Sequence, residues 1–150
     1  MATIVLTTFI DAPITTCFDL ARDIDAHQLS TSKTKEKAIV GRSSGLCEEG
    51  DTITWQAIHF GVKQNLTVII TKMEKPFFFE DEMIKGAFAS MKHKHSFAIE
   101  NGKTKMTDEF TFKAPLGMLG AIAETLFLKN YMTKFLKERN RILKLLAESK

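Results

Sequence analysis

Cysteine, proline and glycine are scarce in this chain of 150 residues, and each scarcity excludes something. The two cysteines, Cys17 and Cys47, lie far apart and in no Cys-x-x-Cys or Cys/His spacing. That excludes a disulfide scaffold and a zinc finger, and makes reduced thiols in the cytoplasm the expectation. Three prolines and eight glycines leave no linker or low-complexity tract, so a single domain over 1–150 is expected. Long apolar runs are missing too. The most apolar stretch, Ala114 to Leu128, is interrupted by Gly117, Gly120 and Glu124, which argues against a membrane span. Thr3, Thr7, Thr8 and Asp11 break up anything resembling the core of a signal peptide. Charge of one sign is also lacking: the formal net charge is +3, and the lysines (Lys33, Lys35 and Lys37, then Lys129 to Lys144) are interleaved with acids. This pattern reads as a solvated surface and not as a nucleic-acid stripe. Tyrosine and tryptophan occur once each, against twelve phenylalanines and seven methionines. An interior built this way is bulky, soft and poor in hydrogen-bonding rings.

The order of elements follows from periodicity. "TIVLTTFI" (3–10) reads as a strand, and Pro13 suits the first turn of a helix whose Ile14, Cys17, Phe18 and Ala21 keep helical spacing. A shorter helical turn is expected at about 24–29. From there the period is two, punctuated by turn signals, which predicts six strands at about 36–43, 51–60, 62–72, 77–85, 91–100 and 103–113. A long helix is expected from Leu116 to Glu148. Lys134, Lys137, Glu138, Arg141, Lys144 and Glu148 form its charged face; Ala121, Leu128, Phe135 and Ile142, flanked by Ile122, Met132, Leu136, Leu143 and Leu146, form its apolar one. Such a helix, roughly 45 Å long, can cross a whole domain. The sum is an α+β fold.

The most informative stretch is "MKHKHSFAIENGKTKMTDEF" (91–110). Lys92 and Lys94 must face water, so Met91, His93, His95 and Phe97 share the inner face. In the following strand Lys105, Thr107 and Glu109 point outward, leaving Met106, Asp108, Phe110 and Phe112 inside. Asn101-Gly102 favours a two-residue type I′ turn. That turn sets Phe97 opposite Met106, His95 opposite Asp108 and His93 opposite Phe110. Similarly, a Phe60-Gly61 turn puts Trp55 opposite Leu66 and His59 opposite Val62, with Ile53, Trp55, Ala57 and His59 inward. In "FFFEDEMIKG" Glu80 and Glu82 are expected outward and Phe79, Asp81 and Met83 inward, with Asp81 near His93 or His95. One concave face thereby collects three histidines and two carboxylates in an apolar shell, where unpaired charges are costly. A polar cluster on an apolar floor is the pattern of a small-molecule cavity.

The early strand, the helix opening near "DAPITTCFDLARD", the antiparallel meander and the closing "APLGMLGAIAETLFLKNYMTKFLKERNRILKLLAE" together resemble the START-like, or SRPBCC, superfamily of polyketide cyclases, birch-pollen-type allergens and lipid-transfer domains. "GDTITWQAIHFG", "FEDEMIKGAFASMKHKHSF" and "MTDEF" look most like its small bacterial ligand-binding members, sometimes described as cell-division inhibitors. The resemblance implies a helix-grip fold: a curved seven-stranded antiparallel sheet wrapped around the C-terminal helix, with two short helices after the first strand and a cavity between sheet and helix. It does not fix function, because one scaffold here carries binders, transfer proteins and enzymes.

The candidate site is therefore Trp55, His59, Phe79, Asp81, Met83, His93, His95, Phe97, Met106, Asp108 and Phe110 from the sheet, with Met132 and Arg139 from the helix. The expected role is binding of a small, largely hydrophobic ligand bearing one polar or anionic group. The alternative is a cyclase, aromatase or dehydratase with His95 as base and Asp108 orienting it, or with His59 in proton transfer. His93 and His95 have chelating spacing, but each has a carboxylate neighbour that satisfies it, so no metal and no cofactor are expected. Cys17 reads as a core cysteine, and the thiolate of Cys47 beside Glu48 and Glu49 is disfavoured. Arg139 lies on the apolar stripe, where it either snorkels at the helix edge or turns inward to pair a carboxylate. Neither nucleic acid nor membrane insertion is expected.

Overall fold

A computed structural model describes residues 1–114 and 127–150. β1 (Ala2–Ile10) is followed by α1 (Ile14–Arg22) and α2 (Ile24–Ser30), and a 3-10 turn (Ser32–Thr34) leads into β2 (Lys37–Gly41). The meander continues through β3 (Thr52–His59), β4 (Val62–Glu74), β5 (Phe78–Lys85), β6 (Ser90–Glu100) and β7 (Lys103–Lys113), and α3 (Lys129–Glu148) closes the chain. The seven strands form one antiparallel sheet in the order β1-β7-β6-β5-β4-β3-β2. The two short helices thus carry the chain from one sheet edge to the other.

Local chemistry explains the elements. Pro13 caps α1 from just outside it (φ −59°, ψ 147°), one position earlier than the expected first turn. The Asp23 side chain accepts hydrogen bonds from the Asp25 and Ala26 backbone N–H groups and so starts α2. Asn101 and Gly102 both take positive φ (53° and 76°), as a type I′ turn requires, and the register is the expected one: Phe97↔Met106, His95↔Asp108, His93↔Phe110. Phe60 and Gly61 do the same (54° and 73°), with Trp55↔Leu66 and His59↔Val62. Register shifts between Ala38 and Val40 in β2, and at Thr67/Val68 and Ile70/Lys72 in β4, mark irregularities of the kind that bend a sheet.

The 3-10 turn has no signal in the periodicity. Glu80, expected on the outer face, is only 9% exposed, because neighbouring side chains such as Lys72 (Nζ–O 4.0 Å) cover it. The first part of the expected closing helix, with Leu116, Ala121 and Ile122, lies outside the described residues. From Lys129 onward the helix follows the expected pattern, with Met132, Leu136 and Leu143 buried and Lys134, Lys137 and Arg141 exposed.

Among the described residues the interior has two apolar clusters. One joins Ile4, Ile53, Trp55, Val68, Ile70, Met91, Phe110 and Phe112 to Met132 and Leu136 of α3. The other joins Ile10, Cys17, Phe18, Phe79, Phe97 and Met106 to Leu143 and Ala147.

Candidate functional site

Between these clusters runs a polar belt. On β6 the order is Met91, His93, His95, Phe97; on β7 it is Phe110, Asp108, Met106; on α3 it is Leu136, Arg139, Asn140, Leu143. In all three elements the flanking apolar residues belong to opposite clusters. His93, His95, Asp108, Arg139 and Asn140 are all buried, Asp108 completely.

Asp108 is the hub. It accepts from His93 Nε2 and from Asn140 Nδ2, both at 2.7 Å, and Arg139 Nη1 lies 3.5 Å away. His95 stands directly across the strands from Asp108, as expected, but its Nε2 pairs with Asp81 Oδ2 at 3.0 Å. Asp81 in turn stands opposite His93. Both pairs are therefore diagonal: strand register sets which backbones face each other, while the rings lean along the strand and reach the next position. His93 and His95 stack with centroids 3.7 Å apart, and Phe79 stacks on the other side of His95 at 4.1 Å.

The charges in this belt are set by burial and by each other. Burial pushes the Asp108 carboxyl up, but the hydrogen bond and charge of His93 and the charge of Arg139 outweigh it and hold it well below the usual carboxylate range. His95 is pushed well below the usual imidazole range by burial first, then by the like charges of His93 and Arg139. Asp81 is pushed up by burial, against the charges of His93, Arg139 and His27. His95 Nδ1 is buried without a hydrogen-bond partner, 3.5 Å from Asp108 Oδ1. A neutral His95 that donated from Nε2 to Asp81 would aim a bare lone pair at that oxygen. The opposite tautomer turns Nδ1–H toward Asp108 and lets a protonated Asp81 donate to Nε2.

One face of the belt borders a cavity of about 430 Å³. Of the expected site residues, Trp55, His59, Phe79, Asp81, His93, His95, Phe110, Met132 and Arg139 line it. Met83, Phe97, Met106 and Asp108 do not. Phe97 and Met106 belong to the filled cluster beneath α1, where Phe18 packs edge-on to Phe97 at 5.5 Å. Asp108 sits behind His93, and Met83 packs against the edge of the first cluster. Arg139 turns inward and is 2% exposed.

Several wall residues had no sequence signal. His27 and Glu36 come from α2 and the irregular segment after it, Arg22 from the end of α1, and Tyr131 from α3. Tyr131 Oη lies 2.5 Å from His59 Nδ1, and burial lowers the His59 pKa. Cys47 also lines the wall, its thiol pushed up to about 12 by burial first and then by Asp51. Phe60 marks the mouth: it lines the cavity, is 54% exposed, and lies 5.3 Å from Phe127 and 4.5 Å from Tyr131 between ring centroids.

Asp81, His93 and His95 present donor atoms within 4.8 Å of one another, a spacing that suits a metal ion. Their surroundings suit one poorly. Both histidine Nε2 atoms already meet carboxylates, and the Arg139 guanidinium adds a fixed positive charge beside them.

No protein-family profile matches the sequence, and no curated protein matches it. Solved structures do match the fold. A protein of Thermus thermophilus superposes with a TM-score of 0.78 at 14% identity, over 95% of this chain and 94% of that one. A START superfamily protein of Mycobacterium smegmatis gives 0.74 at 12%, over 98% and 97%. The ginseng major latex-like protein 151 of Panax ginseng gives 0.73 at 10%, over 97% of each chain. The chain has the helix-grip fold of the START-like superfamily.

Proposed function

We propose that the protein binds a small, largely hydrophobic molecule bearing one polar or anionic group, held between the sheet and α3. The observation that carries this reading is the cavity itself: about 430 Å³, walled by Trp55, Phe110, Met132 and other apolar side chains, with His93, His95, Asp81 and Arg139 converging on one wall. A polar head set on the Arg139 side meets cationic and donor groups, and an apolar body fills the rest. The two buried, unpaired thiols support a reducing, cytoplasmic setting. Among the described residues no helix is long and apolar enough to cross a membrane. Native mass spectrometry of the purified protein should find a co-purifying small molecule; protein that is empty and gives no Trp55 emission change with any amphipathic probe would overturn the reading.

One observation favours acid–base chemistry as a second reading. His93, on the cavity wall, is oriented by Asp108 at 2.7 Å, which is the arrangement of a positioned general base. The roles then fall to His93 and Asp108, in place of the His95–Asp108 pair expected from register. Turnover of a polyketide-like substrate, abolished in His93→Gln with binding retained, is the result that would establish a cyclase or dehydratase.

A further inference from the structure

The cavity lining holds a second polar group, apart from the belt. Lys35 adopts a left-handed conformation (φ 55°) at the end of the 3-10 turn. Lys35 and Lys37 then face solvent and Glu36 turns inward to line the cavity. The Glu36 side chain is 9% exposed. Its Oε1 lies 3.0 Å from His27 Nε2, and His27 in turn packs on Trp55 with ring centroids 4.1 Å apart. Its Oε2 is fully buried and meets no donor. A buried carboxylate oxygen without a donor is costly, and the cost is removed when something brings a donor to it.

We infer that Glu36 is a second recognition point of the cavity, and that the ligand carries a hydrogen-bond donor, a hydroxyl or a protonated amine, that meets Glu36 Oε2. This deepens the ligand-binding reading and rests on it. The ligand is then polar at both ends, with an anionic or acceptor group toward Arg139 and His93 and a donor toward Glu36, joined by an apolar body along Trp55. The two ends share one electrostatic neighbourhood: the charge of His27 is felt at both Asp81 and His95. Neither end is open to bulk water, so an apolar molecule that covered Glu36 would leave its oxygen unpaired. The pocket thereby selects against plain fatty chains as well as for the bipolar ligand.

The test uses decanoic and dodecanoic acids with their omega-hydroxy and omega-amino derivatives, titrated against Trp55 emission and by calorimetry. In the native protein the omega-hydroxy acid of the better-fitting length should bind about tenfold more tightly than its parent, the equivalent of one charge-assisted hydrogen bond. Glu36→Met should remove or invert that preference while binding the parent acid at least as well as before. Glu36→Gln, which keeps an acceptor and loses the charge, should lose the amine preference first. Equal affinities for parent and derivatives in the native protein, as when a resident water already satisfies Oε2, would overturn the inference and leave cavity binding standing. So would a preference that survives in Glu36→Met. Should Glu36→Met fail to fold, an unchanged amine preference in Glu36→Gln overturns it as well. If no acid binds the native protein at all, the ligand-binding reading itself fails and takes the inference with it.

Discussion

Replacing Asp108 with leucine removes the hub of the polar belt and leaves its donors in place. Three groups then face an apolar side chain: His93 Nε2 and Asn140 Nδ2, each previously at 2.7 Å, and the Arg139 guanidinium at 3.5 Å. Asp108 is wholly buried, so water does not replace it without a rearrangement. Removing one partner of a buried ionic cluster costs about 3–5 kcal/mol, because the remaining charge is stranded. In a domain of this size each kcal/mol is worth about 2–4 °C, so Asp108→Leu should melt about 6–20 °C below the native protein at pH 7. His93→Phe combined with Asp108→Leu should recover only part of the loss, since Arg139 and Asn140 still lack their acceptor. The pH profile gives an independent check. The folded-state pKa of Asp108 is lowered, so its contribution is present above the ordinary value of 3.8 and is lost as pH falls below it. The acid limb below that value should flatten in the mutant. Melts by circular dichroism between pH 3 and 8 (roughly the span in which carboxylates and imidazoles titrate) supply both readings. A mutant melting within about 2 °C of the native protein, less than one kcal/mol, would refute the argument, and so would full recovery in the double mutant.

His95 is held neutral, so the unfolded chain takes up a proton below the ordinary value of 6.5 that the folded protein refuses. Stability should fall with acidification there, by up to about 1.4 kcal/mol per pH unit from this group, and His95→Phe should show a shallower slope in urea titrations. His59, shifted the same way, leaves some slope behind, while Asp81, shifted up, opposes it above 3.8. Elemental analysis after dialysis should find less than one equivalent of any transition metal; a full equivalent lost in the His93→Ala, His95→Ala double mutant would promote the metal reading. Cys47, on the cavity wall and with its thiol raised to about 12, should react with a disulfide reagent far more slowly than it does in the unfolded chain, and a ligand that fills the cavity should slow it further.

How much of this was legible depended on periodicity. Alternation in 91–98 and 103–113, together with Asn101-Gly102, was enough to place His93, His95 and Asp108 on one inner face in the right register. It was not enough to pair them, because alternation describes which side of the sheet a residue takes and says nothing of how a ring leans along it. The helix contributions were half legible. Arg139 stood out as a charge on an apolar stripe, but Asn140 beside it did not, because one residue on a helix is a rotation of about 100° and the sequence leaves the docking angle free. Glu36 and His27 were invisible for a different reason. They sit in and after a short helix and a 3-10 turn, where no period exists to say which side is in. The boundary between cavity and filled core was illegible too, since Phe97 and Phe110 carry the same signal and only the packing of α1 on one of them separates the two.

The Asn140–Asp108 contact has a consequence for the shape of the cavity. The apolar residues of α3 recur every turn, so sliding the helix by one turn, about 5.4 Å, would still set apolar side chains against an apolar sheet. Such seats differ little in hydrophobic terms. Asn140 and Arg139 break the tie, because only one seat brings both to the Asp108 carboxylate. Asn140, which stands behind the wall, and Arg139, which is part of it, therefore set how far Met132 and Tyr131 reach into the space, and with it the gauge of molecule that fits. In this protein the dimensions of the pocket are held by a latch on the position of a helix, closed by Asn140 and Asp108, which no ligand need ever touch.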